Sequence, residues 1–237
     1  MIRLRDLNMA SDCVRRPEID FRGESYQLAP LTQRELDIFK IQLSDILMVP
    51  GADERRVMED RIEQYVYALR SIKQELNAPA FTGLNPEDTE LGFGLIRPQF
   101  MRSAAAYRLN WIQAVLANTW SDWFFEGAGA PFLVGQDFGL CITHLKSLVT
   151  PAPFASECRF TVGRRGVLVA NDLRSLRLAD TTNNVAICAV PTIISKPRSS
   201  FYARIRGDAV AGNDEIAPGG LIFGLGRVLT QEVPTWV

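Results

Sequence analysis

Two periods divide the chain. Up to about residue 125 apolar residues recur every three or four positions, the spacing of one helix face. Beyond about residue 157 they come in short runs separated by turn residues, the habit of strands. The first signal is "IDFRGESYQL", Ile19 to Leu28, a small hairpin around Arg22-Gly23-Glu24 flanked by Ile19, Phe21, Tyr26 and Leu28. In "PLTQREL", Thr32 and Glu35 have capping-box spacing, and Leu31 and Leu36 stand where a hydrophobic staple would close around it. A helix is predicted from about Gln33 to Leu47, with Leu36, Phe39, Leu43, Ile46 and Leu47 inward. It stops before Pro50-Gly51. Asp53 opens a second predicted helix to about Leu76, whose Val57, Met58, Ile62, Tyr65, Val66, Leu69, Ile72 and Leu76 keep a helical period. Arg56, Glu59, Glu63 and Arg70 read as its solvated side.

Asn77 to Arg97 is broken by Pro and Gly and is expected to be a loop. Pro98 is placed to start a third helix, about Gln99 to Phe125. That segment carries Trp111, Trp120, Trp123, Phe124 and Phe125. Burial between layers is the plainer account of so many aromatics; an exposed docking face is the sharper one. Gly135 to Val149 fits a short helix or a strand. Strands follow at about Cys158–Val162 and Val167–Ala170, joined by a turn at Gly163 to Gly166. Others are expected at Ser175–Leu178, Val185–Ile194, Phe201–Arg206 and Leu221–Leu229. The expected fold is α+β: three long N-terminal helices, then an antiparallel β-sandwich or barrel-like half. The natural division is a mainly helical region, 1–129, and a β-rich region, 130–237. The aromatic load on the third helix favours a core shared between them.

Composition adds a modest electrical asymmetry. The net charge is −1, with 26 Lys+Arg against 27 Asp+Glu. From Ala130 onward 11 basic residues face 8 acidic ones, or +3; the first 129 residues hold 15 against 19, or −4. A mild positive bias in the second half suits an acidic partner. Only Lys40, Lys73, Lys146 and Lys196 are lysines; the remaining cations are arginines, which suit interfaces, although a GC-rich genome gives the same bias. No apolar run reaches the roughly 20 residues of a membrane span, and the N-terminus lacks the apolar core of a secretory signal.

Candidate chemistry is sparse. Cys13, Cys141, Cys158 and Cys188 form no CxxC pair, so neither a metal site nor a disulfide scaffold is expected, and no cofactor. The one histidine, His144, lies three residues after Cys141. On a helix the two would share a face and offer a nucleophile and its base; on a strand they would point apart. Asp208, Asp214 and Glu215 lie in "GDAVAGNDEIAPGG", a possible cation loop better explained as a polar β-loop. Arginines remain. Arg204 and Arg206, two apart, would share one strand face, and Arg164 and Arg165 would crown a hairpin. With Arg174, Arg177, Lys196 and Arg198 they would make a basic surface for an acidic neighbouring subunit or for phosphate. Phe160, Phe201 and Tyr202 are few aromatics for stacking bases.

The segment "IDFRGESYQLAPLTQRELDIFK", Ile19 to Lys40, resembles the start of some tailed-phage structural and tail-assembly proteins. In these a hairpin leads through a Pro-Leu-Thr turn into a helix. The resemblance implies a virion component such as a capsid, cement, connector or tail subunit, found in the particle or the host cytoplasm and carrying no catalytic residues. A β-rich second half departs from the small helical assembly chaperones. The leading expectation is therefore a non-enzymatic subunit that binds copies of itself or other subunits. Its expected contacts are Arg164, Arg165, Arg204, Arg206, residues 1–18 and the C-terminal "VPTWV", with Trp236 as anchor. The alternatives are an enzyme using Cys141 and His144, and an arginine-faced nucleic-acid binder.

Overall fold

The computed structural model describes residues 18–19, 25–26, 28–100, 110–123, 132–133, 137–147, 154–162, 167–173 and 186–230. These form an α+β chain that is mostly strands, with two larger sheets and four helices. The chain divides into two compact units. The first comprises Met1–Leu95, Gln136–Cys141 and Leu221–Val237; the second comprises Ile96–Gly135 and Ile142–Gly220.

In the first unit, β1 (Glu18–Ile19) and β2 (Ser25–Tyr26) pair antiparallel as the predicted hairpin. Helix α1 (Gln33–Ile46) starts at the predicted capping box. The Glu35 amide donates to Thr32 Oγ1 at 3.2 Å, and the Thr32 amide donates to Glu35 Oε2 at 2.8 Å. Leu31 and Leu36 are both buried, as are Phe39, Leu43, Ile46 and Leu47. The single helix expected from Asp53 to Leu76 is two: α2 (Ala52–Glu59) and α3 (Ile62–Leu76). The break falls at Asp60-Arg61, where the Arg61 amide bonds three residues back to Met58 and Arg61 leaves helical geometry at φ −117°, ψ 15°. Met58 and Ile62 flank it and stay buried, so the apolar period runs on across the kink. Asn77 ends α3 in the left-handed region, φ 49°, which asparagine tolerates.

Arg70, expected in solvent, is buried. Its Nε donates to the Ala29 carbonyl at 3.2 Å, fastening the segment that leads into α1. The expected loop from Asn77 to Arg97 also holds two strands, β3 (Phe81–Gly83) and β4 (Leu91–Leu95), which run parallel. Two of its glycines, within the sheet, make room for neighbours rather than for turns. A side chain at Gly92 would overlap the Gly83 carbonyl and Pro86. Gly83 has φ +97° and lies under Gln42, whose amide bonds Thr82 O and Leu84 N on either side. The last residues of β13 (Gly212–Leu225) pair antiparallel with β4, Phe223 opposite Phe93. Phe39, Phe81, Phe93 and Phe223 then form one cluster, ring centroids 5.1–6.4 Å apart. The strand expected to run to Leu229 ends at Leu225. Gly226–Leu229 is a helical turn, α4, begun where only glycine fits against the Pro86 and Glu87 carbonyls.

The second unit corrects the third predicted helix. Pro98–Phe100 is a single 3-10 turn, and Ile112–Val115 and Trp120–Trp123 are strands β5 and β6; residues 101–109 lie outside the described residues. Between them Asn118 takes φ 51° in a turn, which a helix through this segment would not contain. The ambiguous segment after Gly135 is a strand, β8 (Phe138–Ser147), following the short β7 (Phe132–Leu133). Then come β9 (Ala155–Val162), β10 (Val167–Asp172), β11 (Ala186–Ser195) and β12 (Ser200–Gly207). One sheet runs β10-β9-β12-β6, with β7 also on β12, all antiparallel. Its core face is Cys158, Phe160, Phe201, Ala203, Ile205 and Trp123. The strand expected at Ser175–Leu178 lies outside the described residues. No described helix is long and apolar enough to cross a membrane.

Glu35 yields the clearest test. Its side chain is buried, and it also accepts from Lys73 Nζ at 2.7 Å and from the Phe81 amide at 2.9 Å. Burial pushes this carboxyl up, but the Lys73 hydrogen bond and the Thr32 and Phe81 amides outweigh it and hold the group below its ordinary value of 4.5. A depressed folded value means stability present above the ordinary value and lost as pH falls through the folded one. Glu35→Ala, which strands a buried amide and an ammonium, is expected to cost about 1–3 kcal/mol in urea unfolding at pH 7. Glu35→Gln should remove part of the stability loss below about pH 4.5, whereas an identical acid profile for both proteins would refute the role.

Candidate interaction face

β12 aligns Tyr202, Arg204 and Arg206 on the face opposite its core residues, as the two-residue spacing predicts. The register sets Thr161, Arg159 and Glu157 of β9 beside them on one side, and Asp122 and Trp120 of β6 on the other. The eight side chains form a polar, aromatic belt. Tyr202 O–H donates to Asp122 Oδ1 at 2.7 Å. Arg204 Nε donates to the Tyr202 oxygen at 2.7 Å and to Asp122 at 3.3 Å, and its guanidinium lies 5.1 Å from the Tyr202 ring centroid. Burial, then the Asp122 carboxylate, raises the Tyr202 phenol above its usual value, so it stays a donor. Arg206 pairs with Glu157 at 3.0 Å.

Trp120 is the centre of the belt. The Arg159 guanidinium lies 4.2 Å and that of Arg206 5.3 Å from its ring. Strands are about 4.8 Å apart, so an indole rooted in β6 that meets β9 must reach across β12. Arg159 and Arg204 are directly opposed in the register, a like-charge pairing that costs energy. Arg204 turns to Asp122 and Arg159 to the indole. Among the described residues Arg159 has no carboxylate partner.

The other candidates fare differently. Arg164, Arg165, Trp236, Arg174 and Arg177 lie outside the described residues. Lys196 and Arg198 belong to the turn between β11 and β12, where Arg198 has φ 59°. Cys141 and His144 both lie on β8, three residues apart, and therefore point to opposite faces. Both are fully buried; burial pushes the Cys141 thiol far above its usual range. His144 Nδ1 lies 3.1 Å from Thr143 Oγ1, and its ring covers Gly219 so closely that no side chain would fit there. Nothing in this arrangement makes Cys141 a nucleophile. Asp214, imagined on a cation loop, is buried and accepts from the Phe154 and Ala155 amides at 2.9 and 2.7 Å. Among the described residues no three His, Cys, Asp or Glu side chains are grouped to hold a metal ion.

Sequence singles out Trp120 of the belt, on a helix that the structure replaces with β6, but not Asp122, Glu157, Arg159 or Thr161. The signal for Asp122 is "WSDW": on a strand, Trp123 enters the core while Trp120 and Asp122 turn outward. No protein family, curated protein or solved structure matches the chain.

The burial of Cys141 is open to direct measurement. In native protein at pH 8, iodoacetamide should modify half-buried Cys188 and spare Cys141 and Cys158 until denaturant is added, as read by peptide mass spectrometry. Native Cys141 reacting as fast as Cys188 would revive the nucleophile reading.

Proposed function

We propose that this chain is a non-catalytic structural subunit of a larger assembly, a component of a phage or virus particle whose β-rich part is a sandwich or barrel-like scaffold. The observation that carries this reading is the belt. Trp, Tyr and Arg are the residue types that dominate binding hot spots. Here they stay partly exposed yet are held by cross-strand ion pairs, hydrogen bonds and cation–π contacts. Side chains ordered before binding lose less entropy when a partner arrives. The resemblance of Ile19 to Lys40 to tailed-phage structural proteins supplies the virion setting.

The belt also favours a second reading, a surface for nucleic acid, because Arg159 lies on an indole able to stack. Asp122 and Glu157 weigh against it. They place two carboxylates among three guanidiniums, which leaves too little positive charge to hold a continuous phosphate backbone but suits a protein surface of mixed charge.

Light scattering of the purified, untagged chain over a concentration series tests the assembly reading. A discrete oligomer, or growth into rings, tubes or particles, is expected. A monomer at every concentration overturns a self-assembling subunit.

A further inference from the structure

The outward side of α1 is the second unusual surface. Opposite its buried Leu36, Phe39, Leu43 and Ile46, the helix exposes Asp37, Ile41 and Asp45, and Met48 and Val49 follow at its end. Ile41, Met48 and Val49 are 65%, 70% and 73% exposed. Single exposed apolar residues are ordinary, but three within the nine residues from Ile41 to Val49, beside two carboxylates, make an apolar stretch of surface. Asp37 has Lys40 at 3.9 Å. Among the described residues Asp45 has no cation partner.

Resting on the assembly reading above, we infer that this α1 face of one copy docks on the Trp120–Tyr202–arginine belt of a second copy. The two surfaces are complementary in charge. Among the described residues, one holds a carboxylate without a cation, Asp45, and the other a guanidinium without a carboxylate, Arg159. They also match in apolar character, since Ile41, Met48 and Val49 would cover the indole and phenol rings, and a methionine thioether packs well on aromatic edges. The lengths agree. Asp37 to Asp45 spans about 12 Å at a helical rise of about 1.5 Å per residue, and Tyr202 to Arg206 spans about 13 Å at about 3.3 Å per strand residue. Because the two surfaces differ, each copy offers both, and the contact propagates head to tail until it closes into a ring or runs on as a filament.

Two charge reversals at exposed positions test this, Asp45→Arg and Arg159→Asp, with sedimentation velocity as the readout. Each alone should weaken self-association at least tenfold. An equimolar mixture should extend again with the two variants alternating, because every junction then pairs opposite charges, the native pair at one and the exchanged pair at the next. Combining both changes in one chain should restore extension. Met48→Ser, which alters no charge, should also weaken association and guards against misfolding of a charge variant. If the unaltered chain self-associates and all the variants match it, this contact is wrong while the assembly reading stands. A mixture of dissociated variants that does not associate also overturns the contact. If the unaltered chain never associates, the assembly reading itself has failed.

Discussion

The first unit depends on a carboxylate taken out of water and given enough partners to stay charged. Glu35 closes the capping box of α1, accepts from Lys73 near the end of α3 and accepts from the Phe81 amide that begins β3. Three elements meet at one side chain. A buried carboxylate is stable only when donors replace the water it lost, so each partner constrains the placement of the others. One turn along α1, Phe39 meets Phe81, Phe93 and Phe223. The polar junction thus sets the angle at which the apolar cluster closes, and apolar burial supplies the larger share of the driving force.

The second unit uses the same device more sparingly. Asp214 is buried and takes the Phe154 and Ala155 amides, which pins the start of β9. Beyond that point the sheet sorts its residues by period two. Phe160, Phe201, Ile205 and Trp123 close the core face, with Phe160 within 6 Å of both Trp123 and Phe201. Pro218 in the long β13 lacks an amide to donate. It lies between the residues that pair with β5, 212–215, and those that pair with β4, 221–225, where neither of those two ladders needs a donor.

What could be read from sequence followed the range of the interactions. The start of α1 was legible because Thr32 and Glu35 are three residues apart and the box they form is local. So was the alignment of Arg204 with Arg206, which needs only the alternation of a strand. The segment from Ile112 to Trp123 misled because its apolar residues also fall at helical intervals, and each strand has only four residues, too few to display a period of two. What makes them strands is distant: β5 pairs with residues 212–215 and β6 with residues 203–206. Gly83 and Gly92 looked like loop residues because sequence shows a missing side chain but not the neighbour that needs its space, the Gln42 amide at one and the Gly83 carbonyl at the other. Arg70 looked solvated because the carbonyls it serves precede it by about 41 residues.

The belt differs from these features in what folding asks of it. Exposed ion pairs such as Arg204 with Asp122 contribute on the order of 0–1 kcal/mol, so their physical consequence is order more than stability. A sheet built for stability alone would place a carboxylate, not Arg159, opposite Arg204. The structure instead keeps two guanidiniums in register, neutralises one and props the other on an indole. Neither the core nor the ladder explains that arrangement. A carboxylate arriving from another molecule would, because it completes the alternation of charge that the sheet leaves one residue short.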